Sequence, residues 1–232
     1  MDTSSPDWKA VAGLKIAIDG PSGSGKGTIA RQIAGAVGLP VLDTGLLYRF
    51  IGFSSLQQGA QGEAAVLACM DDCLHDMQWE AGGIFFKGEN IGNSLRQESV
   101  AAAASRVAAM PEVRSRLLHV QQDIAENGCV MDGRDIGTVV LPDAQAKFFL
   151  TASLRERARR RWSQLQGLGG EVSLEATLNE IRSRDTQDSG RAHAPLVQAG
   201  DAINIDSTTM RIDEVVDRML SIMERRELIQ KA

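Results

Sequence analysis

Residues 14–28 read LKIAIDGPSGSGKGT, a short aliphatic run that ends on a carboxylate and passes straight into a glycine-rich loop. That order restricts the fold more than any other feature of the chain. Aliphatic and β-branched side chains favour an extended strand. Gly20, Gly23, Gly25 and Gly27 open backbone angles closed to other residues, and the helix-type pattern that resumes near Lys26 predicts a helix immediately afterwards. Strand, glycine-rich loop and helix together make a phosphate cradle, because backbone N–H groups and the positive end of a helix converge on one anion. Lys26 supplies a mobile charge for terminal phosphates. The spelling departs from G-x-x-x-x-G-K-[ST] at one place: Gly27 follows the lysine and Thr28 comes next.

From Leu14 onward short apolar runs alternate with amphipathic segments, the rhythm of an α/β fold with a largely parallel sheet. The expected strands are LKIAID (14–19), PVLD (40–43), CVMD (129–132), AKFFLT (146–151) and AINID (202–206). Five strands suffice for a sheet with helices on both faces. Ile212, Val215, Val216, Met219, Leu220, Ile222 and Met223 recur at helical spacing and predict a last helix whose methionines are core. Between the second and third strands the chain runs from 44 to 128, far beyond the dozen or so residues that a crossover needs. Its segment MQWEAGGIFFKGENIGNSLR carries turn signals between β-type runs, so a small antiparallel sheet beside helices is expected there.

A chain of 232 residues, 43% hydrophobic and 24% charged, can bury a full core. Thirty acidic against 25 basic residues give a net charge of −5, which disfavours nucleic acid as a partner while allowing a local basic site for a small phosphate. Cys69, Cys73 and Cys129 suit a reducing compartment. Cys69 and Cys73, four apart, could share a helix face with His75 and ligate a metal; core thiols explain them better, since a structural zinc site takes four ligands. No stretch approaches the length of a membrane span, and the reading is cytoplasmic, without membrane attachment and monomeric by default.

The spelling GKGT, with DTGLLYR (43–49), DGRDIGTVVLPDA (132–144), RDTQDSGR (184–191), APLV (194–197) and IDSTTM (205–210), resembles the bacterial cytidylate kinase family of P-loop nucleoside monophosphate kinases. The likeness runs in order from about Ile16 to the C-terminal helix. It implies a P-loop kinase fold: a five-stranded parallel sheet flanked by helices, a small antiparallel β-containing insertion in the monophosphate-binding region, and a helical lid. The expected organisation is a flexible extension over 1–13 and one kinase domain over 14–232, with its core at 14–50 and 111–232, the insertion at about 51–110 and the lid at about 173–195.

The activity implied is transfer of the γ-phosphoryl group of ATP to CMP or dCMP, with Mg²⁺ accompanying ATP. Gly20, Pro21, Ser22, Gly23, Ser24, Gly25, Lys26, Gly27 and Thr28 would bind ATP, together with Arg157 from the arginine-rich segment SLRERARRRW, where Arg157 and Arg161 lie four apart. Thr28 takes the place of the missing hydroxyl, beside the β-phosphate and Mg²⁺. Asp132 would orient Mg²⁺ through water; the alternative is that it caps the turn into DGRD. The accepting phosphate oxygen is already anionic, so the site needs positive charge and dryness rather than a strong base. Arg49 and Arg134 would hold the acceptor phosphate, and Arg184 and Arg191 would close on the transferring group. Thr44 and Tyr48 accompany Arg49. Ser105, Arg114 and Asp135 would read the base, Asp135 accepting from the cytosine amine, and Asp188 would approach the sugar. Gln187 and Ser189 stand where relatives can carry further arginines. Against this stand a kinase for another small acceptor such as UMP, and a GTP-dependent switch, which would need an N-K-x-D stretch that the chain lacks.

Overall fold

The computed structural model describes residues 7–80, 83–167, 169 and 171–232. In chain order the elements are β1 (Trp8–Ala10), β2 (Lys15–Asp19), α1 (Lys26–Val37), β3 (Val41–Asp43), α2 (Thr44–Gln57), α3 (Glu63–His75), β4 (Met77–Glu80), β5 (Gly83–Phe86), β6 (Glu89–Asn90), α4 (Glu98–Val107), α5 (Pro111–Ile124), β7 (Cys129–Gly133), β8 (Ala146–Thr151), α6 (Leu154–Gly167), α7 (Leu174–Ser189), β9 (Ile203–Asp206), α8 (Ile212–Arg225) and β10 (Ile229–Lys231).

The chain divides into two compact units, 1–42 with 125–232, and 43–124. The first holds a sheet of order β3-β7-β2-β8-β9, in which β2 pairs in parallel with β7 and β8, and β8 with β9. All five expected strands are present to within a residue. β2 and β7 are buried along almost their whole length, as strands covered on both faces must be, and this is why they read as continuous apolar runs. Ile16, Ile18, Phe148, Leu150 and Ile205 pack with Ile29, Ile33 and Val37 of α1 and with Val215, Met219 and Met223 of α8. Of the residues predicted for the last helix's core, Ile212 lies exposed at its first turn. Truncating a side chain as deep as Phe148 would cost about 3–5 kcal/mol.

Two expectations need correction. Residues 8–10 are not a loose extension: β1 pairs antiparallel with β10, and the Lys231 ammonium lies 5.7 Å from the centre of the Trp8 ring. The pairing joins residues from the two ends of the chain, which no local pattern announces. The inserted unit is also wider than 51–110, because α2 contributes Leu47, Phe50 and Ile51, and α5 contributes Val113 and Leu117, to that unit's own core rather than to the parallel sheet. That core includes Cys69 and Cys73, buried as thiols. Burial pushes the Cys73 thiol up to about 12, and among the described residues no cluster of three His, Cys, Asp or Glu side chains could hold a metal ion. The expected antiparallel sheet is β4-β5-β6, while part of its first turn, 81–82, lies outside the described residues. No helix among the described residues is long and apolar enough to cross a membrane.

Candidate active site

The phosphate loop leaves the central strand β2 at Gly20, where a Cβ would lie 2.0 Å from the Leu150 carbonyl oxygen of β8. Only glycine fits so close to another backbone. Gly25, at φ +95°, is the residue before α1 and turns the chain into the helix. Lys26 is buried, 6% exposed, and curls back over the loop, its Nζ donating to the Pro21 carbonyl (2.9 Å) and to Ser24 Oγ (3.3 Å). Burial, then the charge of Arg134, lowers its pKa to about 7, against the pull of Asp132, Asp19 and Asp188. A cation buried in this way gains on meeting an anion.

The loop is braced from outside by α6. Arg157 donates to the carbonyls of Ser22 (3.0 Å) and Ala152 (2.9 Å), and Arg160 to the carbonyl of Ser24 (3.3 Å). Arg160 also reaches the Oγ and carbonyl of Ser207. The two arginines facing the loop are thus 157 and 160, three apart on the helix. α7, which begins at the Ser173 cap where Ser173 Oγ accepts from the Ala176 amide, adds Asp185. Its carboxylate takes the Ser22 amide (3.3 Å) and pairs with Arg157 (2.6 Å). Neither Arg160 nor Asp185 was identified from sequence; one was a single arginine among the five between 155 and 161, and the other a charge whose partner is 28 residues away.

Three residues farther along α7, Asp188 gathers two arginines. Arg134 Nε donates to it at 2.7 Å, and Arg191 donates to its other oxygen. Burial raises the Asp188 pKa, but Arg134, Arg191 and Arg184 outweigh it and hold the carboxyl below its usual range. Arg184 pairs loosely with Glu180 at 3.7 Å, and burial followed by the charge of Arg134 lowers its pKa. Arg134, Arg184 and Arg191 are therefore brought together around one carboxylate, as a set of cations that would otherwise repel one another requires. Asp132 is buried on β7 opposite Ile18 of β2, one residue before the strand ends. Asp135 is buried at the entry to a single π-helical turn, Ile136–Val140. The Thr28 hydroxyl and the Asp132 carboxylate are hard oxygen donors of the kind Mg²⁺ takes.

The remaining candidates belong to the second unit. Asp43 Oδ1 accepts from the Leu46 amide and starts α2, which carries Thr44, Tyr48 and Arg49. Thr44 is buried. Arg49 donates to the Leu95 carbonyl at 2.8 Å. Arg114, from α5, lies over the Tyr48 ring at 5.6 Å and donates to the Ala108 carbonyl. Ser105 is half-buried on α4.

A parallel sheet whose central strand runs into a lysine-bearing glycine loop, beside one helix that carries two arginines to it and a second that carries a carboxylate, defines the class of P-loop kinases. The cytidylate kinase family profile matches residues 16–225, and the chain belongs to that family. It is 48% identical to the cytidylate kinase of Stutzerimonas stutzeri (strain A1501) over 222 residues, 92% of this chain and 96% of the relative. It is 44% identical to that of Geobacter sulfurreducens over 93% of this chain and 94% of the relative. Among solved structures, an uncharacterized protein from Eubacterium ventriosum superposes with a TM-score of 0.50 at 15% identity, covering 91% of this chain and 98% of that one, a likeness of fold alone.

Proposed function

We infer that the chain transfers the γ-phosphoryl group of ATP to CMP and dCMP, giving ADP and CDP or dCDP. The observation that carries the reading is the gathering of Arg134, Arg184 and Arg191 around the Asp188 carboxylate, near enough to the buried Lys26 for Arg134 and Asp188 to act on its charge. These are the cations that a reaction between two phosphates needs, and the carboxylate binds two of them directly, Arg134 and Arg191.

In this account the amides of Gly23 to Gly27 and Lys26 hold the donor's phosphates, while Arg49 and Arg134 hold the phosphate that accepts. Arg184 and Arg191 neutralise charge as the phosphoryl group moves. Such preorganised charge acts mainly in the transition state and needs no general base. Mg²⁺ bound with ATP would supply further charge neutralisation at the donor phosphates, held by Thr28 and, through water, Asp132. Thr44, Tyr48 and Arg49 take part in holding the acceptor, Ser105, Arg114 and Asp135 select its base, and Asp188 approaches its sugar. Arg157 acts on the donor side by holding the loop. The lid, about 173–195, closes over the nucleotides and excludes water.

A coupled assay of ADP release with CMP, dCMP, UMP, AMP and GMP tests the reading. CMP and dCMP should give the highest kcat/KM; a preference for UMP or a purine monophosphate would refute it.

A further inference from the structure

We propose that Asp19 is a positioning residue for phosphoryl transfer, whose carboxylate fixes the turn bearing Arg134 and Asp135 to the end of the strand that carries the phosphate loop. The proposal rests on the roles given above to those two residues. Asp19 is the last residue of β2, the central strand, and directly precedes Gly20. It is 4% exposed. Each carboxylate oxygen takes one backbone amide: Oδ1 accepts from Ile136 N at 2.8 Å and Oδ2 from Gly137 N at 2.7 Å. These are the first two amides of the π-helical turn that follows Arg134 and Asp135, groups left without partners inside a helix that starts there.

The surroundings leave this arrangement little freedom. A Cβ at Gly137 would lie 3.4 Å from Asp19 Oδ2 and 3.2 Å from Lys147 Cδ. Lys147 is itself tied to the Pro142 carbonyl and to Asp201. On the other side, Asp19 is fixed by the β2 ladders to β7 and β8, where it stands opposite Gly133 and Phe149. Two parallel acceptor oxygens meeting two donors require the ionised carboxylate, because a proton on either oxygen would point at an N–H. Burial makes that ionisation expensive, and a buried charge kept in this position is explained by what it holds. The turn cannot rotate without losing both bonds, so Arg134 and Asp135 keep a set distance from the loop that begins one residue after Asp19.

The test is steady-state kinetics of Asp19→Ala and Asp19→Asn with ATP and CMP varied in turn, with UMP as a second acceptor and circular dichroism as the check on folding. A displacement of about 1 Å at the turn should lower kcat/KM for CMP by about 10²-fold in Asp19→Ala. Asp19→Asn keeps one acceptor oxygen and should recover part of that loss. KM for ATP should stay within about threefold of the parent, because the loop remains held by Arg157, Arg160 and the strand ladders, and the preference for CMP over UMP should fall with kcat/KM. A bond that merely stabilises the fold would lower the melting temperature and leave both KM values and the base preference alone. Parental CMP kinetics in folded Asp19→Ala would overturn the proposal, as would parental kinetics in Asp19→Asn if the alanine variant does not fold. So would equal losses toward ATP and CMP. Arg134→Ala measured alongside separates the two levels: if it keeps parental CMP kinetics, the underlying site reading fails and the proposal with it, whereas an impaired Arg134→Ala beside parental Asp19 variants sinks the role of Asp19 alone.

Discussion

Arg157 and Asp185 meet at 2.6 Å and between them hold both backbone polar groups of Ser22, the guanidinium taking its carbonyl and the carboxylate its amide. One helix braces the phosphate loop and the next locks the brace. The Arg157 side chain is 8% exposed and that of Asp185 22%, so the pair is desolvated enough to matter and satisfied by further hydrogen bonds.

Removing either partner should therefore destabilise the fold by about 1–3 kcal/mol, and the double variant Arg157→Ala/Asp185→Ala should lose less than the sum of the single ones. Urea unfolding of the four proteins measures the coupling. KM for ATP should follow the same non-additive pattern, since the loop serves the donor. Additive losses in both quantities would mean that the two residues act independently.

Asp19 gives the chain a carboxyl that titrates unusually high. Burial raises it from 3.8 to about 6 against the opposing pull of the Gly137 and Ile136 amides and of Lys26, with Asp135 adding to the rise. Its folded value exceeds its unfolded one, so between 3.8 and about 6 the folded state binds more protons than the unfolded state. Ionised Asp19 therefore costs stability at neutral pH, and its contribution becomes more favourable as the pH falls through that window. Function should run the other way, because protonation removes an acceptor from the turn, and kcat/KM for CMP should fall on the acid side of about 6. Carboxyl-carbon NMR of selectively labelled aspartate, assigned by comparison with Asp19→Asn, should show one resonance with its midpoint near 6. A midpoint in the ordinary carboxylate range would contradict the expectation.

Base choice should depend on the charge and acceptor character of Asp135. An ionised carboxylate accepts from the cytosine amine and repels the uracil carbonyl, whereas an amide can turn and donate. Asp135→Asn should shift the ratio of kcat/KM for CMP to that for UMP by about tenfold towards UMP, the equivalent of about 1.4 kcal/mol. The ratio compares two acceptors on one protein, so general damage cancels. An unchanged ratio with measurable activity would remove Asp135 from base reading.

The parallel sheet was legible because its strands are buried on both faces and follow one another at crossover spacing; LKIAID and AKFFLT leave little room for another assignment. The loop was legible because its glycines and lysine are consecutive. What escaped was non-local. The pairing of Trp8–Ala10 with Ile229–Lys231 joins segments from opposite ends of the chain, and Asp185 finds Arg157 only after two helices fold together. Asp19 was visible as the one acidic residue in the strand LKIAID, yet its partners are amides more than a hundred residues away, and a backbone N–H leaves no trace in a sequence. Arg160 was hidden by its neighbours: in ARRRW, spacing alone cannot say which guanidinium faces inward, and the helix turned 157 and 160 to the loop.

The central claim is that these charges serve transfer between two nucleotides rather than hydrolysis. It is tested most directly by incubating the protein with ATP labelled at the γ-phosphate, Mg²⁺ and CMP, and separating the products. The account predicts label in CDP at the β-position, little in free phosphate, and a loss of transfer of about 10² to 10³-fold in Lys26→Ala, the expected cost of one electrostatic contact to the transferring group. Label recovered mainly as inorganic phosphate, or CDP formed at the parental rate by a folded Lys26→Ala, would contradict it.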